Sequence, residues 1–174
     1  MKRKQFLAGM FAVGCAIAFC SIIQSVATAQ SDKVMTSMSA LKAKAAKLGA
    51  PKIEGKDMVA GKEVPALYFG ATKMNNNFAV VDEVVKENGG TATFFVKDGE
   101  NFIRVATNVK KDDGSRAIGT MLDPNGPVIG KIKDRMAYYG EANILGKPYV
   151  TGYEPIKGAD NEILGIYYVG YMKQ

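Results

Sequence analysis

Apolar residues recur at helical spacing between Ser31 and Leu48. Val34, Met38, Leu41, Ala45 and Leu48 fall on one stripe, with Lys33, Lys42, Lys44 and Lys47 largely on other faces. The pattern predicts an amphipathic helix over 31–48, closed by Gly49 and Pro51, with its lysine face in solvent. Residues 52–62 are polar and punctuated by glycine, and predict a loop. "EVPALYF", Glu63 to Phe69, predicts a first strand, with Pro65 near an edge or a strand start. Met74, Phe78, Val81 and Val85 make a second helical stripe, stopped by Gly89-Gly90.

The pattern then changes period. Two β-rich runs, Thr91 to Val96 and Phe102 to Val109, flank "KDGEN" and predict a hairpin. Alternation puts Ile103, Val105, Thr107 and Val109 on one face of the second run, and Phe102, Arg104, Ala106 and Asn108 on the other. A long polar loop follows, with turns at Asp113-Gly114 and Asp123-Pro124-Asn125-Gly126, then a short helix over 128–136. "AYYGEANILG" and "KPYVTGYEPI" predict a second hairpin turning near Gly146-Lys147, and "EILGIYYVGY" a last strand. In "KPYVTGYEP", Lys147, Tyr149, Thr151 and Tyr153 share one side, and Pro148, Val150 and Gly152 the other. Helices first and sequence-adjacent strands afterwards predict an α+β fold with an antiparallel sheet.

The start of the chain reads differently. Lys2, Arg3 and Lys4 precede an apolar stretch from Phe6 to about Ile23, and Ala27-Thr28-Ala29 is a small-residue cleavage signal. The layout is that of a secretory signal peptide over 1–29, leaving one domain over 30–174 with its helix at 31–48 and its core at 63–172. An uncleaved N-terminal membrane anchor and a lipoprotein signal ending at Cys15 are the alternatives. Cleavage after Ala29 removes both cysteines and three of the 23 basic residues, so the net charge falls from +6 to +3. The basic balance is then partly a targeting feature, and export argues against a nucleic-acid partner.

Composition excludes most catalytic chemistry. The chain has no His, and its two Cys lie in the leader. That leaves no imidazole base, no thiol nucleophile and no transition-metal cluster, and no cofactor or enzymatic activity is expected. "GSRAIGT" has Thr120 where a phosphate loop needs lysine, and "KDGEN" and "KKDDGS" lack the alternating ligands of a calcium loop.

"GGTATFFVKDGENFIRVATNVKKDDGSRAIGTMLD" together with "YGEANILGKPYVTGYEPIKGADNEILGIYYVGY" resembles the extracellular single Cache domain of bacterial chemoreceptors and sensor kinases, of the Cache 3/Cache 2 type. The resemblance covers about Glu63 to Tyr171. It implies a PAS-like fold, with a long N-terminal helix on one face of a central antiparallel sheet and a small-molecule pocket on the other. In such receptors the last strand feeds a transmembrane helix and an output module. Here only Met172, Lys173 and Gln174 follow Tyr171, so a sensor without an output module in the same chain is expected.

Arg104 is the leading candidate ligand residue. An arginine between apolar neighbours is costly to bury without an anion, and its planar fork suits a carboxylate. The resemblance assigns a basic anchor to this strand as well. The other reading of Arg104 is a snorkelling side chain paired with a surface acid. Asn108, Tyr149, Thr151 and Tyr153 are expected on the adjoining wall, and Arg116, Thr120, Tyr139 and Lys147 at positions able to cap a pocket. Tyr167, Tyr168 and Tyr171 read as core and sheet surface. The expected protein is a secreted or periplasmic sensor for a small anionic metabolite, a carboxylate or amino acid, acting with a membrane receptor or kinase. The alternative is a ligand-free interaction module that forms a homodimer or docks through its N-terminal helix.

Overall fold

The computed structural model describes residues 16–173, with side chains from residue 29 onward. The basic start of the leader, the first part of its apolar stretch and the Cys15 lipidation reading lie outside the described residues.

Helix α1 spans Ala16–Leu48, so it begins before the 31–48 helix that the pattern predicts and runs through Ala27-Thr28-Ala29, the apolar stretch before Ser31 continuing the same helix. Its stripe is as expected: Val34, Met38, Leu41 and Ala45 are buried, and Leu48 packs against the same core. Each such leucine or methionine contributes about 1.5–3 kcal/mol by burial. α1 stops where Gly49 meets Gly70. A Cβ on Gly70 would lie 2.0 Å from the Leu48 carbonyl oxygen, so only glycine lets the two backbones touch.

The segment 52–62 is not the loop that its polarity predicts. Strand β1, Pro51–Val59, pairs antiparallel with β2, Lys62–Phe69. Nearly all of β1 faces water and only Val59 is buried, so the strand carries no hydrophobic alternation to read. β3, Thr72–Lys73, pairs only Tyr68 and Phe69 of β2. Beyond it the Asn75 side chain continues the ladder: Oδ1 accepts from Leu67 N–H at 3.0 Å and Nδ2 donates to the Pro65 carbonyl at 3.1 Å. Helix α2 is Ala79–Asn88, starting later than the stripe predicts. Asn76 is at φ 58°, and Asn77 Oδ1 accepts from Ala79 N–H, which holds the chain in a turn before the helix. Met74 is buried from that turn.

The main sheet is made of β4 (Thr91–Asp98), β5 (Asn101–Thr107), β6 (Tyr138–Ile144), β7 (Lys147–Lys157) and β8 (Ile163–Met172). Its order is β5-β4-β8-β7-β6, antiparallel throughout. One face packs on α1, α2 and the small sheet, through Phe94, Val96, Ile103, Tyr167 and Val169. Phe69, Phe94 and Tyr167 form an aromatic cluster there, with centroids 5.7–6.0 Å apart. The other face carries Phe95, Phe102, Tyr153, Ile166 and Tyr168, covered by residues 109–132 and helix α3, Pro127–Lys133.

A bulge corrects the faces expected for β5. Phe94 pairs with Ala106, but Phe95 pairs with Arg104, so Val105 is the extra residue. Val105 and Ala106 both enter the helix-side core. Thr107, opposite Thr93, therefore moves to the Arg104 face, and Asn108 leaves it.

Candidate functional site

The cover and the far face of the sheet enclose a cavity of about 190 Å³. Arg104 and Tyr153 come from the sheet. Leu122, Asp123 and Val128 come from the cover, Asn143 and Ile144 from the end of β6, and Leu145 from the turn after it. A cleft of about 350 Å³ also opens among Lys97, Glu100, Lys133, Arg135 and Glu162. Its charged side chains are all on exposed residues, and Lys133 is paired with Glu100 at 2.9 Å, so its charges are already solvated or matched. The smaller cavity is the one with a buried charge in its wall.

That charge is Arg104, 4 % exposed. The loop over β5 clamps its backbone: Arg104 N–H donates to the Thr120 carbonyl at 2.9 Å, and Gly119 N–H donates to the Arg104 carbonyl at 2.8 Å. Nη1 donates to Thr120 Oγ1 at 2.7 Å. The guanidinium lies over the Phe95 ring at 4.9 Å, its cross-strand partner. Nε is buried without a hydrogen-bond partner, and no carboxylate among the described residues lies within 4.0 Å of the group. Burial pushes its pKa down, and the neighbouring Tyr153 and Tyr168 offset this only in part. The group stays charged, because an arginine starts so far above neutrality. The Tyr153 and Tyr168 rings meet at a 50° tilt with centroids 4.9 Å apart. Burial pushes both phenols far above their usual range, so both remain neutral donors.

The remaining residues named from the sequence lie in different places. Tyr149 is half-buried and packs against the same far-side core, away from the cavity wall. Thr151 is buried and donates from Oγ1 to the Gly140 carbonyl at 2.8 Å, across β6–β7. Thr120 touches the cavity through Arg104 alone. Asn108 Oδ1 accepts from Ala92 N–H at 2.7 Å and tethers the end of β5 to β4. Tyr139 is exposed on the α1 side and donates to Glu154, which also pairs with Lys42. Lys147 is exposed at the hairpin turn, 3.6 Å from Asp112.

Arg116 is committed to α2. Its two terminal nitrogens donate to both carboxylate oxygens of Asp82 at 2.7 Å. Nη1 also donates to the Thr107 carbonyl at 2.8 Å, and the group lies 4.3 Å over Phe78. Arg116→Ala is expected to lower stability by about 1–2 kcal/mol, from a bidentate pair that is partly solvent-screened. Ligand affinity should not change. Thermal melting and calorimetry on the variant check this, and loss of binding in a folded Arg116→Ala protein would return Arg116 to the site.

Sequence reasoning missed Asp123, Asn143 and the apolar wall. Asp123-Pro124-Asn125-Gly126 was legible as a turn, and Asp123 Oδ1 does accept from Asn125 N–H at 2.9 Å. No periodicity says that this turn folds over β7.

A helix-backed five-stranded antiparallel sheet with a covered cavity on its free face defines a PAS-like sensor domain. The Cache 3/Cache 2 fusion domain model matches residues 16–174, and the chain belongs to that family. Comparison with curated proteins found no match. Cache domains are sensor domains rather than enzymes, typically extracellular or periplasmic, and they bind small molecules. No helix among the described residues is long and apolar enough to cross a membrane.

Proposed function

We propose that this Cache domain senses a small anionic metabolite, a carboxylate or an amino acid, held in the cavity by Arg104 with Tyr153 beside it. The observation that carries this reading is the guanidinium itself. It is buried, has no acidic partner among the described residues and borders a cavity. Burying a charge in an apolar wall costs several kcal/mol unless something of opposite sign completes it. An anion of the size of the cavity would do so. Apolar Leu122, Val128 and Ile144 would hold the ligand's carbon skeleton.

The reading places the domain outside the cytoplasm after cleavage near Ala29, working with a membrane receptor or kinase. The first core side chain of α1 among those described is Val34, so removal of 1–29 would leave the packed stripe whole. Native mass spectrometry of the exported protein tests both parts: a mass starting at Gln30, and a co-purified small acid. Calorimetry with that acid then compares wild type with Arg104→Lys. Lysine keeps the charge but cannot form the planar fork, so binding should weaken roughly tenfold, the equivalent of about 1.4 kcal/mol. Equal affinity would remove Arg104 from the site.

A further inference from the structure

We infer that Asn125-Gly126, on the cavity cover, is a self-modification site: Asn125 converts to aspartate and isoaspartate with loss of ammonia, and the product holds the cavity's anion less tightly. The effect on the anion rests on the reading above; the chemistry does not.

The chain has two Asn-Gly pairs, Asn88-Gly89 and Asn125-Gly126. In such a pair the backbone nitrogen of the glycine can attack the asparagine side chain, because no Cβ crowds its approach and the backbone is free to turn. The Gly126 nitrogen bonds to Asn125 Cγ and closes a five-membered succinimide. The Cγ–Nδ2 bond breaks, and Nδ2 leaves as ammonia with the proton of Gly126 N–H. Water then opens the ring. Cleavage of the new bond at Cγ gives aspartate, and cleavage at the Asn125 backbone carbonyl carbon gives isoaspartate. No oxidant or reductant takes part.

The fold treats the two pairs oppositely. Asn88 ends α2, where its Nδ2 donates to the Val84 carbonyl at 3.1 Å and Gly89 N–H donates to the Val85 carbonyl at 2.8 Å. The Asn88 carbonyl accepts from the Tyr171 hydroxyl at 2.7 Å. Nucleophile, leaving group and backbone are all held. Asn125 is exposed in the turn before α3, and its side chain has no hydrogen-bond partner among the described residues. Gly126 is extended, outside the helical ladder, and its N–H reaches the Asp123 carbonyl only at 3.3 Å, a long bond.

The product alters the cavity wall. Asp123, Gly126 and Pro127 line the cavity, on which Arg104 is the cation. Aspartate at 125 adds a negative charge two residues from Asp123. Isoaspartate also lengthens the backbone by one methylene between Asp123 and Gly126. The added charge opposes an anion, and its exposure limits the effect to a few-fold, larger at low salt.

The test ages the whole exported protein in warm, mildly alkaline buffer, native and in urea, and maps its peptides by mass and retention. The expected result is aspartate and isoaspartate at 125 with Asn88 intact in the native protein, and reaction at both sites in urea. Native Asn88 reacting as fast as Asn125 overturns the site, and so does a native Asn125 that stays intact while reacting in urea. Gly126 is at φ −78°, which alanine adopts without strain, so Gly126→Ala should fold and react about tenfold more slowly. An unchanged rate, or aspartate without isoaspartate, overturns the succinimide route. Calorimetry with propionate reads the effect on the cavity. Aged wild type should bind a few-fold more weakly than fresh protein, and aged Asn125→Gln, whose larger ring closes more slowly, should bind as its fresh form does. Equal affinity of aged and fresh wild type overturns the effect on the anion. Fresh protein that does not bind propionate counts against the anion reading instead, and the peptide map still decides the chemistry.

Discussion

Leu41→Asp should unfold most of the protein under conditions where wild type is folded. Leu41 is fully buried on the face of α1 that packs against α2, β7 and β8. Truncating such a leucine to alanine costs about 2–5 kcal/mol. An unpaired carboxylate in its place costs several kcal/mol more, or must take up a proton to stay there. Domains of this size have about 5–15 kcal/mol in total, so the substitution removes most or all of it. Ala43→Asp on the exposed side of the same helix is the control, and should cost well under 1 kcal/mol. Urea unfolding followed by circular dichroism reads both. Equal midpoints for Leu41→Asp and wild type would mean that α1 is not held on the sheet in solution.

The same comparison explains which parts of this fold were legible in the sequence. The packed part of α1 was, because its apolar stripe is five residues at heptad-like spacing against a continuous core, and helical period is a strong signal. The β4–β5 and β6–β7 hairpins were, because each pairs β-rich runs around a glycine turn. β1 was not, because it buries almost nothing and its pairing is backbone hydrogen bonding that polar residues make as well as apolar ones. The start of α2 was misread because Met74 is buried from a turn, which imitates a helical stripe.

The site was legible in its centre and not in its rim. Arg104 is visible as a charge among apolar residues on a strand. Asn108 was assigned to the same wall by strict alternation, and a single bulge at Val105 undoes that assignment. Arg116 is as plausible as Arg104 by composition. It differs only because Asp82, 34 positions earlier, meets it with both oxygens, and no local pattern encodes that meeting. The rule that separates the two arginines is partner supply: Arg116 has a carboxylate, an aromatic face and a carbonyl, while Arg104 has one hydroxyl and an aromatic face.

That difference gives the sharpest separation of a ligand arginine from a structural one. Arg104→Met should make the ligand-free protein more stable and its ligand binding much weaker. Methionine is flexible, apolar and near enough in length to cover Phe95. It removes a buried charge without a matching acid, and replacing even a paired buried charge by apolar side chains can stabilise by about 1–4 kcal/mol. The lost bond to Thr120 offsets about 0.5–1.5 kcal/mol of that. The remainder, about 1.5 kcal/mol at mid-range, should raise the melting temperature by about 3–6 °C. A charge-assisted contact contributes about 1.5–3 kcal/mol, so affinity for the co-purified acid, or for propionate in its place, should fall roughly tenfold to a hundredfold. Differential scanning calorimetry of the ligand-free proteins and titration calorimetry with the acid read the two effects separately. If Arg104→Met instead melts several degrees lower, the guanidinium is a structural strut between β5 and its cover. If it melts higher and binds unchanged, the charge is an unused cost and the ligand sits elsewhere. Only a higher melting temperature together with lost binding identifies a cation that the fold keeps, at the expense of its own stability, for an anion to complete.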